Sequence, residues 1–207
     1  TAAAVYAATA TDPDANTTFT YSLSGGADAA LLDINASTGA VSFRVSPNFE
    51  APADAGKDNV YEIIVQVSDG SHIATKAVAI SVTNVNEAPS VTSAVTATTA
   101  ENVSPSTAVY TVTAADLDAN PTLTYSISGG NDASLFNINA STGTVSFKAS
   151  PNFEAPVDAG KDNVYDITVR VSDGFYFDDK SIQINVMDVT ETKPDKDFNG
   201  DGKSDIL

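Results

Sequence analysis

Apolar and polar residues alternate with a period of two along several short segments of this chain. In NVYDITVRVSDG, residues 163–174, the apolar positions are Tyr165, Ile167, Val169 and Val171. Such alternation predicts a strand with one buried face. The segments TYSI, TVSF and SIQINV are also predicted to be short strands. They are separated by the turn signals Gly-Gly, Ser-Thr-Gly and Asp-Gly. No amphipathic helical pattern of useful length is present, so the sequence predicts an all-β fold.

The chain contains two copies of one unit, because residue n matches residue n+104 without gaps. The loop PNFEAPADAGKDNVY, residues 47–61, differs at one position from PNFEAPVDAGKDNVY, residues 151–165. A repeat of about 100 residues is the size of one β-sandwich domain. We therefore expect two tandem Greek-key β-sandwich domains over residues 1–86 and 87–191, followed by a short tail over residues 192–207.

The second copy is preceded by SVTSAVTATTAEN, residues 90–102, which is predicted to form its first strand. The first copy has no counterpart, since Thr1 already aligns with Pro105. We expect the first domain to lack its opening strand, either because the chain is truncated or because another segment covers that edge. An uncovered sheet edge is prone to aggregation.

Composition narrows the classes of partner. The net charge of −17 argues against nucleic acid and against an anionic membrane surface, since no basic patch is available to meet phosphates. The absence of cysteine excludes disulfides and thiolate metal sites. No apolar run approaches the roughly 20 residues of a membrane span, and the first residues do not have the pattern of a signal peptide.

Carboxylate and amide residues cluster where the ends of the sandwiches are expected. The second copy contributes TAEN, AADLDAN, NFE, VSDG and MDVTE, and TNVNEAP lies between the copies. Calcium takes six to eight oxygen ligands and favours such mixtures of carboxylates, amides and carbonyls. The predicted cofactor is therefore Ca²⁺.

These motifs, in this order, resemble the cadherin repeat in its bacterial cadherin-like form. The resemblance implies shared ions at the junction of the two domains, held by Glu50, Asn84, Asn86, Glu87, Asp116, Asp118 and Asp173. It implies a second site in copy two, held by Glu101, Glu154, Asp188 and Glu191. It also places Asp12, Asp14 and Asp69 towards a preceding domain. The alternative is that these groups are solvated turn carboxylates.

The sequence departs from the family pattern in ways that weaken the expected sites. Asn48 and Asn152 replace the aspartate of the D-x-E motif, Asn84 replaces the first linker aspartate, and the linker is one residue shorter. Fewer carboxylates predict fewer or weaker ions, with affinities towards the roughly 10⁻⁴ to 10⁻³ M of extracellular modules.

The tail, DFNGDGKSDIL, resembles the calcium loop of FG-GAP propeller blades. Its candidate ligands are Asp197, Asn199, Asp201, Asp205 and the carbonyl of Lys203. A simple Asx-turn is the alternative.

The most informative difference between the copies is in the turn before the last strand, where DGSHIATK in copy one aligns with DGFYFDDK in copy two. His72 is the single histidine and has Tyr176 as its counterpart, so we expect it near solvent and expect no enzyme activity. Three consecutive aromatic residues cannot all point inward from a strand. A candidate carbohydrate site therefore comprises Phe175, Tyr176, Phe177, Asp178 and Asp179. The alternative is a hairpin packed on its own sandwich.

The expected function is that of a secreted or bacterial cell-surface, calcium-dependent adhesin that binds extracellular acidic polysaccharide or a cell-surface glycan. The resemblance to calcium-dependent lectins of rhizobia motivates it. The alternative is a passive, calcium-stiffened spacer that contacts neighbouring repeats of a larger adhesin. Neither alternative involves nucleic acid or a membrane span.

Overall fold

The computed structural model describes residues 3–14, 17–119 and 121–190, and it divides the chain into two compact units, residues 1–86 and 87–207. The prediction of an all-β fold is confirmed. The helical elements of the described ranges are two 3-10 turns, Ala29–Leu31 and Ala133–Leu135. Within the same ranges, no helix is long and apolar enough to cross a membrane.

Unit 1 contains six described strands in two antiparallel sheets. The strands are β1 (Tyr6–Ala7), β2 (Thr20–Gly25), β3 (Leu32–Ile34), β4 (Ala40–Phe43), β5 (Val60–Ser68) and β6 (Ile73–Ser81). Their order is β1-β4-β3 in one sheet and β2-β5-β6 in the other.

Unit 2 repeats this plan and adds strands. They are β7 (Ser90–Val91), β8 (Thr96–Ala100), β9 (Tyr110–Thr111), β10 (Ala114–Ala115), β11 (Thr124–Gly129), β12 (Phe136–Ile138), β13 (Thr144–Phe147), β14 (Val164–Ser172) and β15 (Phe177–Met187). The sheet orders are β12-β13-β9, β11-β14-β15-β8 and β10-β7.

The single opening strand predicted over residues 90–102 is wrong in detail, because the segment forms two short strands with different partners. Strand β7 pairs antiparallel with β10, whereas β8 pairs parallel with β15. Between them, the hydroxyl of Tyr110 donates a hydrogen bond to the carbonyl of Ala94. The chain therefore changes neighbour between Val91 and Thr96.

Strand β14 is the centre of the second core, as its alternation predicts. The four alternating apolar side chains of its inner face are at most 1% exposed, and they are Tyr165, Ile167, Val169 and Val171. The ring of Tyr165 packs edge-on against the rings of Phe136 and Phe147, with centroids 5.8 and 5.1 Å away. Each such buried side chain contributes about 1.5–3 kcal/mol relative to exposure.

Two buried aspartates brace the loop that is repeated almost unchanged. Asp132 accepts hydrogen bonds from the backbone N–H groups of Ala159 and Asp166, at 2.7 and 2.8 Å. Asp158 accepts from the N–H groups of Asp162 and Asn163. Residues 151–163 form no strand of their own, so these carboxylates satisfy backbone donors that burial would otherwise leave unpaired.

Unit 1 contains the same brace, with Asp28, Asp54 and Asn59 in the corresponding positions. In both units the side-chain amide of the buried asparagine donates a hydrogen bond of 2.9 Å to the carbonyl of a phenylalanine. The pairs are Asn59 with Phe49 and Asn163 with Phe153. A single substitution would remove several of these bonds at once. This geometry gives a physical reason for the near identity of the two loops.

Candidate metal centre

Glu101 is buried in unit 2 at the end of β8 and is 3% exposed. Its two carboxylate oxygens accept the backbone N–H groups of Phe153 and Val189, each at 2.9 Å. These two donors hold the pKa of Glu101 below its ordinary value, although burial opposes them. The structure therefore contains a fixed, ionised carboxylate inside the domain.

Two further carboxylates meet Glu101. Glu154 follows Phe153 in the repeated loop, and Asp188 follows the last residue of β15. Because β8 and β15 run parallel, with Ala100 opposite Met187, both strands end at the same edge. One oxygen from each of Glu101, Glu154 and Asp188 lies within 4.8 Å of the others.

This three-carboxylate group has the donor chemistry of a calcium site. Its ligand atoms are all hard oxygens, and one member is held in place by the backbone. The ion pairs of the described ranges, Arg44–Asp33, His72–Asp69 and Arg170–Asp179, do not involve it. Like charges at this spacing repel one another, and a divalent cation would reverse that repulsion. Glu191, the fourth predicted ligand, lies outside the described residues.

A second set of predicted ligands is linked by hydrogen bonds within unit 2. The backbone N–H of Glu87 donates to Asp118 at 3.0 Å, and the N–H of Asp118 donates to Oδ1 of Asp116 at 3.0 Å. Oδ2 of Asp116 is buried and has no hydrogen-bond partner among the described residues. Asp173 accepts the N–H groups of Phe175 and Tyr176. These hydrogen bonds link Glu87, Asp116 and Asp118 within unit 2, and their role as calcium ligands stays a prediction.

The remaining junction ligands belong to unit 1. Glu50 donates its backbone N–H to Asn48 Oδ1 at 3.0 Å, and Asn84 and Asn86 follow strand β6. The sharing of an ion across the linker stays a prediction. The tail ligands Asp197, Asn199, Asp201, Lys203 and Asp205 lie outside the described residues.

The unit 1 acids form turn contacts. Asp12 accepts the N–H of Asp14 at 2.8 Å, and Asp69 accepts the N–H groups of Ser71 and His72, both at 2.6 Å. Both hydrogen bonds lower the pKa of Asp69, and the one from the N–H of His72 has the larger effect. The side chain of His72 is 88% exposed, as predicted. Asp12, Asp14 and Asp69 do not form a three-carboxylate group within the described ranges.

The aromatic turn is exposed, as the sequence predicts. Phe175 is 84% exposed and Tyr176 is 51% exposed. Phe177 is also exposed, but the guanidinium of Arg170 lies 3.7 Å from its ring centroid. The ring faces of Phe175 and Tyr176 are therefore the more accessible ones.

The two acids after the turn have partners within the domain. Asp179 accepts two hydrogen bonds from Arg170, at 2.8 and 2.7 Å, and these lower its pKa. Asp178 accepts the backbone N–H of Val91 at 2.9 Å. Both carboxylates therefore stabilise the fold, which narrows the predicted carbohydrate surface to the aromatic rings.

Comparison with known proteins agrees with this architecture. Residues 95–193 match the family described as "Cadherin domain". The crystal structure of human protocadherin-24 EC1-2, form II, superimposes with a TM-score of 0.67, at 22% identity, over 90% of each chain. The fold is cadherin-like. Drosophila N-cadherin EC1-4 matches with a TM-score of 0.63 at 18% identity, over 84% of this chain and 43% of that one.

The curated relatives are human protocadherins. Protocadherin Fat 4 is 28% identical over 192 residues, and protocadherin Fat 1 is 31% identical over 198 residues. Each match covers 89% of this chain but only 4% of the relative. Cadherin domains bind calcium, and the three-carboxylate group is compatible with that cofactor. A bacterial source and a similarity to rhizobial adhesins stay predictions.

Proposed function

We propose that this chain is a calcium-binding extracellular adhesion module, with one ion held in unit 2 by Glu101, Glu154 and Asp188. The observation that carries the proposal is the convergence of these three carboxylates within 4.8 Å, one of them buried and fixed. Calcium bound there ties the end of β8, the repeated loop and the end of β15 to one cation. Binding to the folded state alone would stabilise the domain by mass action.

The test is a calorimetric titration of the full chain with CaCl₂ after chelator treatment. Glu154→Gln is the informative variant, because Glu154 is exposed and the substitution preserves size. We expect at least about tenfold weaker binding at this site, since one charged ligand is lost. The matched control is Glu62→Gln, an exposed glutamate on β5, which should leave the titration unchanged. Equal titrations for both variants would overturn the site.

We further propose that Glu87, Asp116 and Asp118 hold an ion to which Glu50, Asn84, Asn86 and Asp173 add ligands. The hydrogen-bonded chain from Glu87 to Asp116 supports the first three members. The other members follow from the resemblance and the order of the motifs. Calcium would then restrict the linker, and small-angle scattering with calcium and with chelator tests this. Identical scattering curves would count against it.

Glycan binding is a second candidate function, and the exposed rings of Phe175 and Tyr176 favour it. Such rings stack on sugars, and a chain of charge −17 would need calcium to bridge an acidic polysaccharide. Retention on an acidic polysaccharide column should require calcium and should fall for Phe175→Ala. Val157→Ala, also an exposed apolar residue, is the control. Retention that is absent with calcium present would favour a spacer between neighbouring adhesin repeats. With this candidate function we also propose that the protein is displayed on a bacterial cell surface. We propose in addition that the tail, residues 192–207, binds calcium.

A further inference from the structure

Strands β14 and β5 occupy corresponding places in the two units and carry the same residues on their inner faces. The inner residues of β14 are identical to those 104 positions earlier, and they are Tyr165, Ile167, Val169 and Val171. The outer face of the same sheet differs. Ala77 and Ala79 of β6 correspond to Ser181 and Gln183 of β15, which are both exposed. Unit 2 therefore has additional hydrogen-bonding side chains on a face that the core does not constrain.

Arg170 of β14 is held in a fixed position on this outer face. Its guanidinium donates to both oxygens of Asp179, at 2.8 and 2.7 Å, and lies 3.7 Å from the ring centroid of Phe177. A guanidinium has five N–H donors, and Asp179 uses two of them. The side chain of Arg170 is 36% exposed, so further donors can reach a ligand. Unit 1 has Gln66 paired with Thr75 at these positions.

Further hydrogen-bonding groups follow Arg170 along the same face. Nε2 of Gln183 donates to Oδ1 of Asp166 at 3.1 Å, which orients the amide and leaves its carbonyl oxygen as an acceptor. Thr96 of β8 lies opposite Gln183 in the parallel register and is exposed. The segment from Phe177 to Asn185 is about 27 Å long, because a strand rises about 3.4 Å per residue. The face is therefore an extended polar strip with an aromatic ring at one end.

The charges of this strip compensate one another. Arg170 is paired with Asp179, and Asp166 accepts from Gln183. The remaining outer-face side chains of β14 and β15 between Asp166 and Asn185 are uncharged, and they are Thr168, Ser172, Phe177, Ser181, Gln183 and Asn185. The whole chain has a net charge of −17, which repels a polyanion. Electrostatic complementarity therefore favours a ligand that carries hydroxyl groups and no charge.

We propose that the outer face of β14 and β15, from Phe177 to Asn185, binds an uncharged polysaccharide chain. Arg170 donates to sugar hydroxyls and Gln183 accepts from them, while Asp179 positions Arg170 without contacting the ligand. The proposal rests on glycan binding as the class of function. It differs from the calcium-bridged candidate in its surface and its ligand, because it requires neither an acidic sugar nor calcium.

The test is affinity electrophoresis of the full chain in native gels that contain hydroxyethyl cellulose, laminarin, dextran or alginate. We expect at least one of the three uncharged polymers to retard the chain equally with calcium and with chelator. Arg170→Gln and Gln183→Ala introduce the residues that unit 1 has at these positions, so the strands should still form. The dissociation constant should rise about tenfold for Arg170→Gln, which loses a charged donor, and at least about threefold for Gln183→Ala. The matched control is Gln66→Ala in unit 1, which should leave retardation unchanged.

Absence of retardation by all three uncharged polymers would overturn the proposal, and so would wild-type dissociation constants for both variants. Retardation by alginate alone, and only with calcium, would overturn it while supporting the calcium-bridged candidate. A dimer in sedimentation that Arg170→Gln dissociates would assign the face to a second copy and overturn it as well. Should Arg170→Gln fail to fold, as judged by circular dichroism, Gln183→Ala decides.

Discussion

The carboxylate of Glu101 accepts the backbone N–H of Phe153 at 2.9 Å, across 52 residues of sequence. Its other oxygen accepts the N–H of Val189. One side chain therefore joins the end of β8, the beginning of the repeated loop and the segment after β15. The same side chain is the buried member of the candidate calcium group, so folding places a metal ligand as a consequence of satisfying two backbone donors.

Glu101→Gln should therefore affect both stability and calcium. A glutamine presents one acceptor oxygen, so one of the two N–H groups loses its carboxylate partner. We expect a lower melting temperature even with chelator present, and a smaller rise on adding calcium. Thermal melts of both proteins in both buffers measure this. A calcium-induced rise equal to that of the wild type would contradict the assignment of Glu101 as a ligand.

The loop brace predicts a cost for Asp158→Asn. Asp158 is 2% exposed and accepts two backbone N–H bonds, of which an amide oxygen preserves the geometry of only one. We expect a loss of about 1–3 kcal/mol in the free energy of unfolding, measured with denaturant. Asp162→Asn, in the same loop but exposed, is the control and should cost less than about 1 kcal/mol. Equal costs would argue against the brace.

Gly130 and Gly174 form a matched pair for backbone strain. Both have positive φ, +102° and +98°. A Cβ on Gly130 would lie 2.4 Å from the carbonyl oxygen of Asp166, whereas a Cβ on Gly174 would meet nothing within 4 Å. We expect Gly130→Ala to cost more than about 3 kcal/mol and Gly174→Ala about 1 kcal/mol. Chemical denaturation measures both, and similar values would contradict the close approach at Gly130.

Stability should fall in acid. Burial raises the pKa of Asp54, but hydrogen bonds from the N–H groups of Asp58 and Asn59 lower it by more. The pKa of Asp54 therefore lies below its ordinary value. The pKa values of Asp69 and Asp179 are lowered as well. A carboxylate whose pKa is lower in the folded state than in the unfolded state stabilises the fold. This contribution is fully present above the unfolded-state pKa of about 3.9, and it is lost as the pH falls through the folded-state pKa.

Denaturant unfolding in metal-free buffer at pH 7, 5, 4 and 3 measures this loss. We expect little change between pH 7 and 5 and a decline below about pH 4. Asp54→Asn removes one titrating group, so its decline should be shallower than that of the wild type. A stability that increases below pH 4 would contradict the predicted sign.

The sequence by itself determined the strand pattern and the internal repeat. The alternation in β14 was sufficient because a strand whose sheet packs against the core on one face buries every second side chain. The local spacing of apolar residues records that. The acidic motifs also indicated calcium, and the pairs Glu101–Glu154 and Asp116–Asp118 lie near one another as the resemblance implied. The offset of 104 residues also showed that Thr1 aligns with Pro105, so the strands of residues 90–102 have no counterpart within the given sequence.

Only the tertiary structure decided which acids are free to meet a ligand. Asp132 and Asp158 form the loop brace, and Asp178 and Asp179 hold Val91 and Arg170. Nothing in their immediate sequence separates them from Glu154, because their partners are backbone N–H groups or side chains brought close by folding. The division of residues 90–102 between two strands likewise depends on distant partners, β10 and β15, which no local period encodes.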